Sequence, residues 1–337
     1  MTLKQLWKRS TLLHAQVHNV LRAGLVGVGM MGRHHMRLLD QIDDVHFVGV
    51  FDPALVGQDN INGHALFNSL DDLIATGMDY CVVAAPTAFH LELGLQLAKA
   101  GVHALIEKPV APTHTEALQL VEAFSSANLI GGVGHIERFN PALRAMRQKL
   151  EEGLLGEIYQ ISTRRQGPFP ARIADVGVVK DLATHDIDLT AWVAQSPYKT
   201  VSAKTTHKSG RDHEDMVVAV GELENGVIVN HIVNWLSPFK ERNTTVIGDK
   251  GALVADTLTA DLTFYENAKF QNTWDSVSSF RGVSEGDVIR FALNKVEPLL
   301  AEHLAFRDAV KNKNNEGIVT LADGLAAVQI ADQMILP

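Results

Sequence analysis

A chain of 337 residues, at about 100 to 200 residues per domain, is expected to hold two domains, and 46% hydrophobic with 20% charged side chains is the balance of an ordinary globular protein. Thirty Lys plus Arg against 39 Asp plus Glu leave a formal charge of -9, which disfavours nucleic acid or an anionic membrane surface as the main partner. The single cysteine, Cys81, excludes an internal disulfide and a thiolate metal cluster, so a cytoplasmic setting is expected.

No stretch reaches the ~18 uninterrupted apolar residues of a membrane span. Residues 1–20 contain Lys4, Lys8 and Arg9, but Gln5, Ser10, Thr11, His14 and Gln16 break any signal-peptide core, so this segment reads as an N-terminal extension. From Leu21 apolar strands alternate with amphipathic helical stretches, the pattern of a parallel sheet with crossover helices. Strands are expected at Arg22–Val28, Val45–Phe51, His64–Phe67, Asp79–Ala84, Val102–Ile106 and Leu129–Gly134. Ser69 reads as a helix N-cap, Gly101 as a helix stop, and Thr113 with Glu116 has capping-box spacing. The expected fold class is therefore α/β: a doubly wound Rossmann domain over residues 21–141.

Asn140-Pro141 reads as the N-cap and first turn of a helix that Gly153 and Gly156 stop. Residues 142–337 should form an α+β domain with a large open, mostly antiparallel sheet. Period-two segments lie at Ile158–Arg164, Val201–Lys208, Met216–Glu222, Val227–Trp235 and Asn243–Ile247, with turns at Glu224–Gly226 and Gly248–Gly251. Helices are expected near 181–194 and 285–312, and a last one at Leu321–Met334 that packs on either domain.

Gly27-Val28-Gly29-Met30-Met31-Gly32 fits GxGxxG after a strand and before a helix. The glycines allow a tight turn and close approach to a pyrophosphate facing the helix N-terminus, which makes Gly27, Gly29, Met30, Met31 and Gly32 candidate cofactor residues. Asp52, about 20 residues beyond Gly32, can accept from adenosine ribose hydroxyls. Its carboxylate would repel a 2′-phosphate, which favours NAD over NADP, with Arg33 read as a solvated first-turn side chain.

Lys108 follows the fifth strand, at the sheet edge where open α/β folds bind ligands, and can donate to a substrate oxygen or pair with Glu107. Asp181 and His185 stand four apart in a helical stretch and share a face, with Asp188 a further turn along. A carboxylate-oriented imidazole, with an unperturbed pKa near ~6.5, suits general-base work on a hydroxyl. The residues alone leave a surface His-Asp contact equally open.

Together, Gly27–Gly32, Ala85-Pro86-Thr87-Ala88-Phe89-His90, Glu107-Lys108-Pro109 and Asp181-Leu182-Ala183-Thr184-His185 resemble the Gfo/Idh/MocA oxidoreductases in order and approximate spacing. The resemblance implies a catalytic Lys108, roles for His185 and Asp181 in catalysis, and positions near the cofactor for Pro86, Thr87, His90 and Glu107. It also implies a homodimer or homotetramer. The reaction it implies is removal of a hydroxyl proton by His185, with Lys108 polarising the oxygen, as hydride passes to NAD.

Two segments bear on the substrate. Gly134–Pro141 contributes Arg138 and Asn140, and Arg164–Arg172 reads as a Pro-stiffened loop whose arginines, Arg164 and Arg172 among them, suit a phosphate. Both segments resemble members that oxidise the 3-hydroxyl of UDP-N-acetylglucosamine or its uronic acid. The alternatives are an inositol or free-sugar dehydrogenase, a noncatalytic dinucleotide sensor, and a redox-neutral NAD-using glycoside enzyme. None of the 15 histidines has HExxH spacing, so no metal is expected, and Cys81 reads as core.

Overall fold

The computed structural model describes residues 20–170, 176–268 and 285–335; the extension read over residues 1–20 lies outside them apart from Val20. The chain divides into two compact units, residues 1–134 with 299–325, and residues 135–298 with 326–337. No helix among the described residues is long and apolar enough to cross a membrane.

In the first unit the strands are β1 (Leu21–Val26), β2 (Val45–Phe51), β3 (Asn60–Ile61), β4 (His64–Phe67), β5 (Tyr80–Val83), β6 (His103–Ile106) and β7 (Gly131–Val133). Their spatial order is β3-β4-β2-β1-β5-β6-β7, parallel throughout except for the β3-β4 hairpin. Strand order reverses on either side of β1, which is where doubly wound sheets open a crevice for ligands. The short β3 escapes any periodicity, yet its turn is written as Asn62-Gly63, both at positive φ (51° and 88°), as a two-residue hairpin demands.

The apolar runs of β1, β5 and β6 bury Leu25, Val82 and Leu105 on a core shared with Leu39 and Phe306. Each such side chain contributes roughly 1.5–3 kcal/mol by leaving water. Ser69 Oγ accepts from Asp72 N–H at 3.0 Å, and Thr113 Oγ1 accepts from Glu116 N–H at 3.3 Å while donating to the Glu116 carboxylate at 2.7 Å. These are the caps read from the sequence, each contributing about 1 kcal/mol.

In the second unit β8 (Ile158–Pro168), β9 (Tyr198–Thr206), β10 (Met216–Leu223), β11 (Ile228–Asn234), β12 (Leu236–Gly248), β13 (Gly251–Asp256), β14 (Asp261–Asn267) and β15 (Glu285–Arg290) form one sheet. Its order is β15-β14-β13-β12-β8-β11-β10-β9, antiparallel apart from the β11-β8 pair. One face packs on helices Pro141–Glu151 and Thr184–Ala194 through Leu143, Met146, Leu189 and Val193 against Ile161, Val229, Val246 and Leu253. The other face exposes Val218, Val220, Ile228, Ile247 and Tyr265.

Three expectations are corrected here. The helix expected over 285–312 is a strand to Arg290 and a helix only from Pro298 to Asn312, because Val288-Ile289 alternate in a ladder with Phe264 and Tyr265. Strands β13 and β14, unread in the sequence, continue the meander beyond the Gly248–Gly251 turn. The supposed loop beginning at Arg164 is strand as far as Pro168.

Candidate active site

β1 ends at Val26 and the chain turns at Gly27, whose φ of +87° and a would-be Cβ only 2.6 Å from the Ala84 carbonyl admit glycine alone. The next helix, α1 (Met30–Leu39), carries Gly32 in its first turn, where a Cβ would meet Gly27 O at 2.0 Å. Gly29 is different: a Cβ there meets nothing within 4 Å, and no side chain caps α1. Tight packing explains the outer glycines, while the middle one leaves an open cradle before a helix N-terminus. That geometry fits a dinucleotide pyrophosphate.

Asp52, at the end of β2, accepts from Val28 N–H through Oδ2 and from Ala54 N–H through Oδ1, both at 2.9 Å. Its negative charge is thereby fixed beside the glycine turn. Arg33 is exposed and donates to Val28 O at 3.3 Å, as expected of a first-turn side chain. Met30 is exposed and Met31 half-buried in the same turn.

Beyond β5, Pro86 is exposed and Thr87 half-buried in a 3₁₀ turn (Thr87–Phe89) leading to α3 (His90–Lys99). A shorter helix, α2 (Leu70–Ile74), precedes them in the chain, and α4 (His114–Ser126) and α5 (Pro141–Glu151) follow. The buried His90 has Nδ1 3.0 Å from Pro109 O and Nε2 2.9 Å from Ala85 O, so one imidazole spans the turns after β5 and β6. Burial lowers its pKa, keeping the ring neutral.

Lys108 is half-buried in the turn after β6, and its peptide bond to Pro109 is cis. The Glu107 carboxylate turns inward: Oε1 accepts from His35 Nε2 at 2.9 Å and Oε2 from the Lys108 backbone N–H at 3.1 Å. Burial opposes its charge, but His35 and the Lys108 charge outweigh burial and hold the carboxyl below its usual range. Both Glu107 oxygens are thus engaged by groups of the chain itself. The first unit thus gathers Gly27, Gly29, Gly32, Asp52, Pro86, Thr87, His90, Glu107 and Lys108 at the C-terminal ends of β1, β2, β5 and β6.

In the second unit a π-helical turn (Val179–Ala183) runs into helix α6 (Thr184–Ala194). Glu214 organises its start, accepting from Val179 N–H at 3.0 Å, and a Cβ at Gly177 would meet that carboxylate at 2.0 Å and displace it. Asp181, His185 and Asp188 are all buried. The surface His-Asp reading therefore does not apply, and Thr184, Asp186 and Thr190 are buried as well. The His185 ring meets His135 edge to face, with centroids 6.0 Å apart. His135 Nδ1 lies 4.0 Å from Asp188, which Arg138 grips with two hydrogen bonds of 2.8 and 2.6 Å.

The expected substrate residues fare differently. Asn140 accepts from Ala142 N–H at 3.0 Å, capping the helix that follows, and donates to Thr257 O at 3.0 Å, so both ends of its amide are engaged. The Arg138 fork is engaged by Asp188. Arg164 points to the exposed sheet face, 3.6 Å from Glu241, because alternation along β8 sends it opposite to Arg165 and away from α6. Arg172 lies outside the described residues.

Sequence reasoning missed Arg165, which is buried and donates to Asp186 at 2.9 Å and Glu137 at 2.7 Å. Burial works against its charge, but the two carboxylates outweigh burial and keep it protonated. The signal present in the sequence was its period-two phase with Ile161 and Thr163. Among the described residues no group of His, Cys, Asp or Glu side chains is arranged to hold a metal.

A glycine-cradled helix N-terminus at the switch point of a doubly wound sheet, with a second unit carrying a buried His-Asp helix, defines a dinucleotide-dependent oxidoreductase. A family model described as an oxidoreductase family with an NAD-binding Rossmann fold matches residues 21–135, and the GFO/IDH/MocA C-terminal domain matches residues 143–254. The chain belongs to the Gfo/Idh/MocA oxidoreductase family, and its cofactor is NAD.

It is 32% identical over 213 residues to the UDP-N-acetylglucosamine 3-dehydrogenase of Acidithiobacillus ferrooxidans, covering 62% of this chain and 66% of that protein. It is 28% identical over 225 residues to an inositol 2-dehydrogenase of Corynebacterium glutamicum (strain R), covering 64% and 67%. The matched regions span about two thirds of these relatives. The solved structure of the Acidithiobacillus enzyme superposes with a TM-score of 0.78 at 26% identity, covering 93% of this chain and 96% of that one.

Proposed function

We propose that the protein is an NAD-dependent dehydrogenase that oxidises a secondary hydroxyl of a nucleotide sugar, the 3-hydroxyl of a UDP-N-acetylglucosamine-type substrate. The observation that carries the dehydrogenase reading is a buried set, Asp181 in the π-helical turn with His185 and Asp188 on α6, in a chain whose other unit presents Lys108 after β6. The choice of nucleotide sugar is supported by the 32% identity to the Acidithiobacillus enzyme. It no longer draws on an arginine loop, since Arg164 stands on the open sheet face.

In this reading Lys108 donates a hydrogen bond to the substrate oxygen and stabilises the alkoxide character that develops on it. His185 accepts the hydroxyl proton, and Asp181 orients the imidazole or binds the substrate. Bound NAD would supply the hydride acceptor, so that oxidation of the carbon would give a ketone. Asp52 and the Gly27–Gly32 turn hold the cofactor's ribose and pyrophosphate. The exposed face of the second sheet forms the contact of a homodimer or homotetramer.

The 28% identity to inositol 2-dehydrogenases favours a second reading, in which the same residues oxidise a polyol without a nucleotide. A panel of UDP-N-acetylglucosamine, its uronic acid, myo-inositol and glucose, assayed for NADH formation with NADP as control, separates the two. Turnover on UDP sugars alone supports the first reading. Turnover on inositol or glucose alone replaces it, and no turnover despite NAD binding overturns both.

A further inference from the structure

Behind the Lys108 turn, the first unit holds a group of titratable side chains that the proposed reaction leaves unused. Helix α7 (Pro298–Asn312) contributes Glu302 and His303, only 2% and 1% exposed. His303 Nε2 lies 2.9 Å from His35 Nδ1 on α1, and His35 Nε2 lies 2.9 Å from Glu107 Oε1. Glu107 Oε2 then accepts from the Lys108 backbone N–H. Gly134 borders the carboxylate closely enough that a Cβ there would sit 3.1 Å from it.

Counting hydrogens fixes the direction of this chain. An ionised Glu107 only accepts, so His35 donates through Nε2. If His303 donates through Nε2 to His35 Nδ1, the remaining His303 Nδ1 is a bare acceptor. The opposite direction would put a hydrogen on His303 Nδ1, which has no hydrogen-bond partner among the described residues, and an orphaned buried N–H is costly. The low-cost arrangement runs His303 to His35 to Glu107. Burial keeps His303 well below its ordinary pKa, which agrees with a neutral ring.

Glu302 completes the balance. Neither of its oxygens has a hydrogen-bond partner among the described residues, and burial together with the Glu107 charge pushes its carboxyl well up. Of the two buried carboxyls, Glu302 therefore keeps the proton and Glu107 carries the charge. His90, facing Glu107 from α3, is neutral, and the Lys108 charge helps to hold Glu107 ionised.

We infer that His35 and His303 are positioning residues, a directed hydrogen-bond chain that fixes the ionised Glu107 carboxylate under the Lys108 backbone. Because His35 stands on the helix that opens at the Gly27–Gly32 turn, the chain ties the pyrophosphate end of the cofactor site to the lysine turn. Cofactor affinity and lysine placement are thereby coupled through one buried carboxylate. The inference rests on the proposed NAD site only for its binding arm.

The test uses the full chain without sugar. Histidine ¹⁵N NMR of the wild type should show His303 as the neutral Nε2–H tautomer with an unprotonated Nδ1. Calorimetric titration with NAD should show His303→Leu weakening binding about tenfold, the scale of one lost hydrogen bond in a charged chain, and His303→Gln, which keeps a donor near Nε2, restoring it to within about twofold. A proton on His303 Nδ1 overturns the inference whatever the variants do, and is read even where His303→Leu does not fold. Wild-type NAD affinity in a folded His303→Leu overturns it too. Failure of the wild type to bind NAD instead sinks the cofactor site, while the NMR still decides the chain.

Discussion

Arg164 and Arg165 are adjacent in β8 and face opposite ways: the Arg164 side chain is 52% exposed beside Glu241, whereas that of Arg165 is 5% exposed between Glu137 and Asp186. Their energetic weights differ accordingly. Removing one partner of a buried ion pair leaves an uncompensated charge and costs about 3–5 kcal/mol, while an exposed pair contributes about 0–1 kcal/mol. Arg165→Ala is expected to lose several kcal/mol in chemical denaturation and Arg164→Ala less than about 1. Equal losses would contradict the placement of the two side chains.

His185→Ala and Lys108→Ala should each lower kcat by about 10²–10⁴-fold, the range of a general acid or base, while NAD still binds in calorimetry. Turnover within a few-fold of wild type in either variant would remove that residue from the proposed reaction.

Asp52 spends its carboxylate on Val28 and Ala54 backbone N–H groups and sets a negative charge beside the cofactor turn. Asp52→Ala should weaken NAD by roughly tenfold or more through lost charge-assisted hydrogen bonds, and should narrow the preference over NADP. Titrations with both dinucleotides check this; an unchanged ratio would show that Asp52 does not discriminate between them.

Glu302 supplies a pH dependence whose sign follows from burial. Its folded carboxyl is raised well above the unfolded value of about 4.3, so the stability of the neutral form is fully present below that value and is lost as pH rises through the folded pKa. Glu302→Gln keeps the shape and cannot ionise. Its Tm gain over wild type should therefore grow from pH 5 to pH 8. A gain that is constant or shrinks with pH would mean that Glu302 is ionised in the native state.

The exposed face of the second sheet carries Val218, Val220, Ile228, Ile247 and Tyr265 at period-two positions. Light scattering is expected to report a homodimer or homotetramer, and Val218→Glu with Val220→Glu should shift it toward monomer. A monodisperse wild-type monomer would leave that face without the proposed partner.

Much of this protein is written locally. Gly27–Gly32 dictates its own turn, Ser69, Thr113 and Asn140 cap the helices that follow them, and the apolar runs of β1, β2, β5 and β6 announce buried parallel strands. The phase of alternation in β8 was equally local, but a presumed loop concealed it, because Gly167 and Pro168 look like loop residues and are tolerated here at a strand end. The same bias turned β15 into helix, since six residues are too few for period two to stand against a neighbouring helical pattern.

The features that chain neighbours specify were thus legible: glycine turns, caps, the buried strands of the first unit, and the spacing of Asp181 and His185. Tertiary structure alone decided the pairings. His35 and His303 meet across 268 residues, Arg165 and Asp186 across 21, and Arg138 and Asp188 across 50. Conformational preference and hydrophobic period act over a few residues, so they select turns, helices and strands. Whether a buried charge is a ligand-binding group or a structural one depends on which opposite charge the fold brings within about 3 Å, and only the packed chain determines that.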